Sequence, residues 1–351
     1  MRKQKKAVKV GNIFIGGKNP VVVQSMTKTK TSDIKKTVNQ IKRLEKSGCE
    51  IVRLAVMNRI DAEALKDIKR QVKIPLVADI HFDYRLALKS IDAGVDKIRI
   101  NPGNIGEEWK ITEIIKKASE HSIPIRIGIN SGSLPKEILH RYKHPTTEAI
   151  IETLNETLEI FYKHNFSNIV ISAKCPDVLK TVEVYEAIDN KFDFPLHIGV
   201  TESGLLFSGS IRSAIGIGIL LYKGIGDTIR VSLADDPVKE VVAGYEILQA
   251  LNLREYVPRL IVCPTCGRCE VDLLKIAHQV EKRLNKIKKP LNIAVMGCVV
   301  NGPGEAKEAD FGIACGKGLG AVFAKGNEIK RVKENKLVDT LFEVIYENIN
   351  N

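Results

Sequence analysis

The sequence predicts an α/β fold: an eight-stranded (β/α)8 TIM barrel followed by a small α+β domain. Three observations lead there. Between about Val21 and Asn252, eight short β-branched runs alternate with amphipathic helical stretches, the pattern of βα units around a parallel sheet. Pro258 then breaks the pattern after the eighth helical stretch. Beyond it, four of the seven cysteines (Cys263, Cys266, Cys269 and Cys298) fall within 36 residues.

The expected barrel strands are, in order, Val21 to Met26, Ile51 to Val56, Pro75 to Ile80, Lys97 to Asn101, Pro124 to Asn130, Asn168 to Ala173, Pro195 to Val200 and Thr228 to Leu233. Each is short and runs into polar residues. The first helix shows the logic of the rest: Ser32 or Asp33 caps it, Ile34, Val38, Ile41 and Leu44 recur at helical spacing, and Gly48 offers a C-cap. Eight such units in about 250 residues fit a closed barrel better than an open doubly wound sheet, which uses fewer strands. The barrel is therefore expected over residues 1–257.

Residues 258–351 read as a strand at Leu260 to Val262, a helix from Val271 to Ile287, a strand at Leu291 to Met296 and a Gly-rich loop. Two short strands around Phe311 and Val322 and a final helix from Leu337 complete it. That is a small α+β domain.

Composition excludes several classes. At 351 residues the chain exceeds the usual size of one core. Its longest apolar stretch, Ile215 to Tyr222, is too short for a bilayer, so no membrane segment is expected. The opening M-R-K-Q-K-K lacks the apolar core of a secretory signal, which predicts a cytoplasmic protein. Seven cysteines, unevenly clustered, suit a metal centre better than a disulfide framework. The net charge of +12 comes from lysines spread along the chain, with no basic run interleaved with aromatics. A nucleic-acid groove is not expected; anionic small molecules or acidic protein partners are. There is no H-E-x-x-H, no Walker A loop and no G-x-G-x-x-G.

The strongest local signal is C-P-T-C-G-R-C at Cys263 to Cys269, followed by M-G-C-V-V-N-G-P-G-E ending at Glu305. Two thiolates on a turn, joined by a third from a neighbouring strand end, close a metal site. Zinc is the competing reading, but Cys298 has no second C-x-x-C knuckle, which favours iron-sulfur. The residues leave the fourth ligand open among Cys269, Cys315 and Glu305. Spacing favours Cys269, whereas a tight turn at Gly302 to Gly304 would aim Glu305 back toward Cys298. A carboxylate ligand would leave one iron open to a substrate oxygen.

Ionic residues interrupt or follow the barrel strands: Arg53, Asp79, His81, Arg99, Arg126, Lys174, Glu202 and Arg230. Active sites of such barrels lie at the carboxyl ends of the strands. Five cations exceed the two acids, so converging arginines imply an anionic ligand, most simply phosphate or diphosphate. Internal ion pairing with Asp79 and Glu202 is the plainer alternative for any one of them. The segment T-E-S-G-L-L-F-S-G-S from Thr201 adds glycines and hydroxyls where barrels often bind phosphate.

These motifs, with V-V-V-Q-S-M-T, A-D-I-H-F, I-R-I-N-P-G-N and G-V-T-E-S-G upstream, resemble the 4-hydroxy-3-methylbut-2-enyl diphosphate synthase family of the methylerythritol phosphate route to isoprenoids. The resemblance covers nearly the whole chain. It implies a barrel joined to an iron-sulfur domain like those of sulfite and nitrite reductases. It further implies a 4Fe-4S cluster on Cys263, Cys266, Cys298 and Glu305, and two-electron reductive opening of 2-C-methyl-D-erythritol 2,4-cyclodiphosphate. Cys269 departs from the family pattern. The substrate-binding residues implied are Arg53, Asp79, His81, Arg99, Arg126, Asn130, Lys174, Thr201, Arg230, Ser232 and Asn301, with Glu202 and Glu305 in catalytic roles. A homodimer and a flavodoxin or ferredoxin as electron donor follow from the same resemblance.

Overall fold

In the computed structural model the described residues are 3–269, 271–287, 289–298 and 302–349. The chain forms two units, Met1–Arg254 and Glu255–Asn351, dividing just upstream of Pro258.

The first unit opens with an antiparallel hairpin, β1 (Val8–Val10) and β2 (Ile13–Ile15), that the periodicity did not reveal. It turns at Gly11, whose φ of 59° is strained for an L side chain. Val8, Val10 and Ile15 pack against Val22, Ile51, Val77 and Val170. These sit toward the amino ends of barrel strands, so the hairpin plugs that end and leaves the opposite face for chemistry.

The barrel strands are β3 (Val22–Met26), β4 (Ile51–Val56), β5 (Leu76–Ile80), β6 (Lys97–Ile100), β7 (Ile125–Asn130), β8 (Ile169–Lys174), β9 (His197–Ile198) and β10 (Thr228–Ile229). All pair in parallel in the order β8-β7-β6-β5-β4-β3-β10-β9. A parallel bridge between Ile171 and Leu196 joins β8 to the segment entering β9. At this thin seam the buried Tyr185 hydroxyl donates to the His197 carbonyl (2.6 Å) and accepts from the Ala173 amide (3.1 Å). A side chain thus supplies the cross-links that a longer ladder would give.

Two predicted strands shorten. Pro195 to Val200 and Thr228 to Leu233 keep two ladder residues each, because the backbones converge beyond them: a Cβ on Gly199 would lie 2.3 Å from the Arg230 carbonyl oxygen. The segment after β9 also differs from expectation. Its loop ends at Leu205 and a helix runs over Leu206–Tyr222, so the second half of T-E-S-G-L-L-F-S-G-S is helical. No described helix is long and apolar enough to cross a membrane.

The second unit is a five-stranded sheet: β11 (Arg259–Val262), β12 (Asn292–Met296), β13 (Phe311–Cys315), β14 (Leu319–Ala324) and β15 (Asn327–Lys333). The first three are parallel and the last two antiparallel to their neighbours. Alternation sorts the side chains. Ile293, Val295, Phe311 and Ile313 pack with the helices Leu273–Leu284 and Leu337–Ile349. Ala294, Met296 and Ala314 face Ala306 of a short helix, Gly302–Glu308, and Ala309 just past its end. That helix replaces the expected turn at Gly302 to Gly304. A proline in the first turn needs no amide partner, so G-P-G can start a helix as readily as bend a loop.

Candidate active site

Strand parity sends alternate side chains inward, and the barrel interior is charged. Among the described residues, Arg53, Lys97, Arg99, Arg126, Lys174 and Arg230 are its cations, and Asp79 and Glu240 its acids. Asp79 holds two of the cations: Oδ1 lies 3.1 Å from Arg99 Nη1 and Oδ2 3.4 Å from Arg53 Nε. Burial pushes the Asp79 carboxyl up, but Arg53 and Arg99, aided by His81 and Arg126, outweigh it and hold it well below the usual carboxylate range. His81 Nε2 is 3.6 Å from Asp79 Oδ2, so the histidine adjoins the same network.

Each committed arginine is fixed by a second partner. Arg99 Nη2 donates to the Gly128 carbonyl at 3.0 Å, and a Cβ at Gly128 would lie 2.3 Å from Arg99 Nε, so only glycine leaves the guanidinium room. Arg53 donates to the Met26 thioether from Nε (3.1 Å) and Nη2 (3.0 Å). Burial lowers the Arg53 pKa to about 10, against the pull of Asp79 and with Arg230 and Arg99 adding to it.

Glu202 is not the second acid of the interior. It is exposed, in the loop after β9, with φ 54°. Glu240, in the first turn of the helix Pro237–Ala250, takes that place: it accepts from Ser25 Oγ (2.9 Å), the Leu233 amide (3.1 Å) and Arg230 Nε (3.3 Å). Its sequence context, an acid just inside a helix start, gave no hint of this.

The other cations have no such counter-charge. Arg126 is 1% exposed, and its Nε and Nη1 have no hydrogen-bond partner among the described residues. Burial, then Arg53 and Arg99, lower its pKa well below the ordinary value. Lys174 ends β8, buried, and burial followed by Arg230, Arg53, Arg126 and Arg99 does the same to its ammonium. Asn130, its register partner on β7, is half-buried, as are Thr201 and Ser232 beyond β9 and β10. Several desolvated cations facing one another are stable together when an anion lies between them or when some give up their protons.

The second constellation lies in the other unit. Cys263 directly follows β11 and its amide donates to Val295 of β12 at 3.1 Å; Cys298 lies two residues past β12. The loop between Cys263 and Cys269 is tight, with the Cys269 amide donating to the Cys266 carbonyl at 2.9 Å. Arg268 gathers the thiols electrostatically. A hydrogen bond to Cys266 and the charges of Cys266, Cys298 and Cys263 all raise its pKa. Reciprocally, the Arg268 amide and guanidinium lower that of Cys266. Cys263 also packs against the cluster containing Ala306, the neighbour of Glu305 in the short helix. Glu305 is exposed there. Asn301 lies outside the described residues.

No three His, Cys, Asp or Glu side chains among the described residues are gathered tightly enough for one metal ion. A four-iron cluster makes a different demand, because each ligand bonds a different iron and the ligands stand apart. Soft thiolates at two adjacent strand ends, with a carboxylate in the next helix, suit such a cluster better than a zinc ion. Cys269 Sγ lies beside Gly297, the residue before Cys298, whereas Cys315 is set back in the sheet. Cys269 Sγ donates to the Val271 carbonyl at 3.4 Å, and Cys315 is buried at the end of β13, where burial raises its thiol to about 12.

Residues 5–245 match the GcpE TIM-barrel domain and residues 259–347 the GcpE protein C-terminal domain. The 4-hydroxy-3-methylbut-2-en-1-yl diphosphate synthase (flavodoxin) of Thermodesulfovibrio yellowstonii is 55% identical over 98% of this chain and 99% of its own. The protein of that name from Caldanaerobacter subterraneus is 56% identical over 98% and 97%. Among solved structures, dihydropteroate synthase from Stenotrophomonas maltophilia superposes with a TM-score of 0.50 at 11% identity, over 70% of this chain and 98% of that one. This last likeness shows the barrel fold alone.

Proposed function

The chain belongs to the GcpE family, and from that premise we propose how its residues perform the family's reaction. It is an oxidoreductase of the methylerythritol phosphate pathway. It converts 2-C-methyl-D-erythritol 2,4-cyclodiphosphate to (E)-4-hydroxy-3-methylbut-2-enyl diphosphate. Two electrons open the ring at a carbon–oxygen bond to phosphate, and a hydroxyl leaves as water.

The observation that carries the assignment of roles is the surplus of buried cations in the barrel. Asp79 and Glu240 fix Arg53, Arg99 and Arg230 in place, while Arg126 keeps unpaired donors for the substrate and Lys174 lies buried at the end of β8 to join it. The diphosphate takes those donors, and its charge replaces the missing acids. Asn130, Thr201 and Ser232, at the ends of β7, β9 and β10, are placed to hold the substrate's hydroxyl and phosphate oxygens. His81 stiffens Asp79, and Asn301, between Cys298 and Glu305 in the sequence, is assigned to the substrate from the family pattern. Glu202 stands in an exposed loop after β9, where it can orient the departing hydroxyl or pass it a proton.

Cys263, Cys266, Cys298 and Glu305 would hold a 4Fe-4S cluster, which supplies single electrons and a Lewis-acidic iron when bound. Arg268 favours the thiolate of Cys266 through its amide and guanidinium. A chain with an exposed thiol such as Cys266 suits the reducing cytoplasm. The electron donor is a flavodoxin, as the relatives' names state for those proteins, or a ferredoxin. Such donors are acidic, and a chain of net charge +12 would steer them.

The working unit is a homodimer. Phe207 is 80% exposed on the helix Leu206–Tyr222, with Ile211, Ile215 and Tyr222 also exposed along it and Val242 on the next helix. A surface of this kind is expected to be covered.

Anaerobic protein supplied with the cyclic diphosphate and reduced flavodoxin tests the assignment. Phosphorus NMR should show the cyclic diphosphate replaced by a linear one. Fully iron-loaded protein that leaves the substrate unchanged would refute it.

A further inference from the structure

Beneath Arg99, two residues earlier on β6, Lys97 opens the strand with its side chain turned the same way. It is 0% exposed, and its ammonium nitrogen has no hydrogen-bond partner among the described residues. The groups around it offer no rescue. Asp79, on the neighbouring strand β5, has both oxygens engaged by Arg99 and Arg53, and the adjacent Asp96 is held by Lys69 and the Leu76 amide. Glu240 is committed to Arg230, Ser25 and the Leu233 amide. Arg126 of β7 and Arg53 of β4 add positive charge beside Lys97. From farther round the barrel Lys174 of β8 is a further cation, and Gln24 of β3 is buried with both side-chain amide atoms unpaired. His197 of β9, also buried, shares a hydrogen bond with Thr228 and leaves Nε2 without a partner.

An ammonium ion in such a place has lost its water, has no acceptor and faces like charges; each of these disfavours the protonated form. The balance changes when a dianion arrives next to Arg126 and Arg53, because their repulsion of a charge on Lys97 is then offset. We propose that Lys97 is a neutral amine in the substrate-free protein and takes up one proton from solvent when the cyclic diphosphate binds. The uncharged nitrogen gains an N–H bond, no electrons move, and the barrel core matches the incoming charge. Lys97 is a positioning residue in this scheme, acting through Arg126 and Arg53. The inference rests on the barrel being the diphosphate site.

The substrate makes the test clean. Each phosphorus of a cyclic diphosphate carries one strongly acidic oxygen, already ionised at neutral pH, so protons taken up on binding enter the protein. Oxidised holoenzyme without reductant binds the substrate without turnover. Titration calorimetry in buffers of different ionisation enthalpy then counts the protons. Lys97→Met should take up about one proton per site fewer than wild type near neutral pH, whatever Lys174 and Arg126 contribute, and His197→Asn as many as wild type. Uptake undiminished in Lys97→Met, or substrate binding with no uptake in wild type, would overturn the inference alone. Absence of any binding heat in wild type would overturn the diphosphate reading and this inference together.

A second measurement needs no substrate. A lysine held neutral in the folded state binds fewer protons than it does unfolded. Wild-type stability should therefore rise with pH toward the ordinary lysine value of about 10.4. Lys97→Met should rise less steeply, by the share of one proton, and be more stable than wild type near neutrality. A variant with the wild-type slope, or less stable at neutral pH, would count against the neutral amine.

Discussion

Asp79 Oδ1 receives Arg99 Nη1 at 3.1 Å, and the pair is buried at the centre of the barrel's cationic interior. The carboxylate orders cations that would otherwise repel one another. Asp79→Asn should remove that order and destabilise the protein by about 3–5 kcal/mol, since breaking one partner leaves buried charge uncompensated. Chemical denaturation measures it. The sign with pH follows from the lowered pKa of Asp79. Its contribution is complete above the unfolded value of about 3.9 and is lost only as pH falls through the folded value. Asp79→Asn should therefore be uniformly less stable near neutrality and lose less on acidification than wild type.

Arg126 and Lys174 are the buried cations assigned to the diphosphate, and their loss should appear in kinetics rather than in folding. Replacing a donor to the diphosphate by an apolar isostere, Arg126→Met, should lower kcat/KM by roughly 10- to 100-fold, the loss of a charge-assisted hydrogen bond of about 1.5–3 kcal/mol. Glu240→Gln keeps an acceptor for Ser25 but frees Arg230, and should raise KM more than it lowers kcat. Steady-state kinetics of the two variants separates these roles.

The barrel seam offers a structural prediction. Tyr185→Phe deletes a hydroxyl that joins Ala173 to His197 across β8 and β9. Two backbone groups at the thinnest part of the ladder would be left unpaired, costing about 1–3 kcal/mol. Amide hydrogen exchange should quicken locally at Ala173, while β5 and β6 keep their protection. Uniform loss of protection around the barrel would contradict this account of the seam.

Homodimer function can be tested by complementation. Two inactive chains, Arg126→Met with an intact cysteine set and Cys298→Ser with an intact barrel, should recover activity when mixed and refolded together if sites are completed between copies. Activity that stays at the level of the separate variants would place each complete site within one chain.

The sequence was most legible where a strong pattern served one physical purpose. β-branched runs located all eight barrel strands, and arginines inside them stood out because a cation in an apolar run needs a reason. Less visible elements lacked such a contrast. β15, N-E-I-K-R-V-K, is almost wholly exposed, and its lysines suit a sheet edge better than a core, so no buried stripe betrays it. The helix Gly302–Glu308 hid behind G-P-G, which reads as a turn until packing against Ala294 and Ala314 selects the helix. Glu240 looked like an ordinary first-turn acid, and Lys97 like the polar flank of a strand. Only the closed barrel shows that one completes the Arg230 site and that the other is sealed inside it.

The central claim is that the cysteine unit carries an iron-sulfur cluster with Glu305 among its ligands. Iron, acid-labile sulfide and zinc should be assayed in anaerobically prepared protein beside Glu305→Ala. The account predicts about four irons and four sulfides per chain in wild type, with iron content and activity reduced in the variant. Stoichiometric zinc without sulfide, in protein never exposed to oxygen, would contradict it.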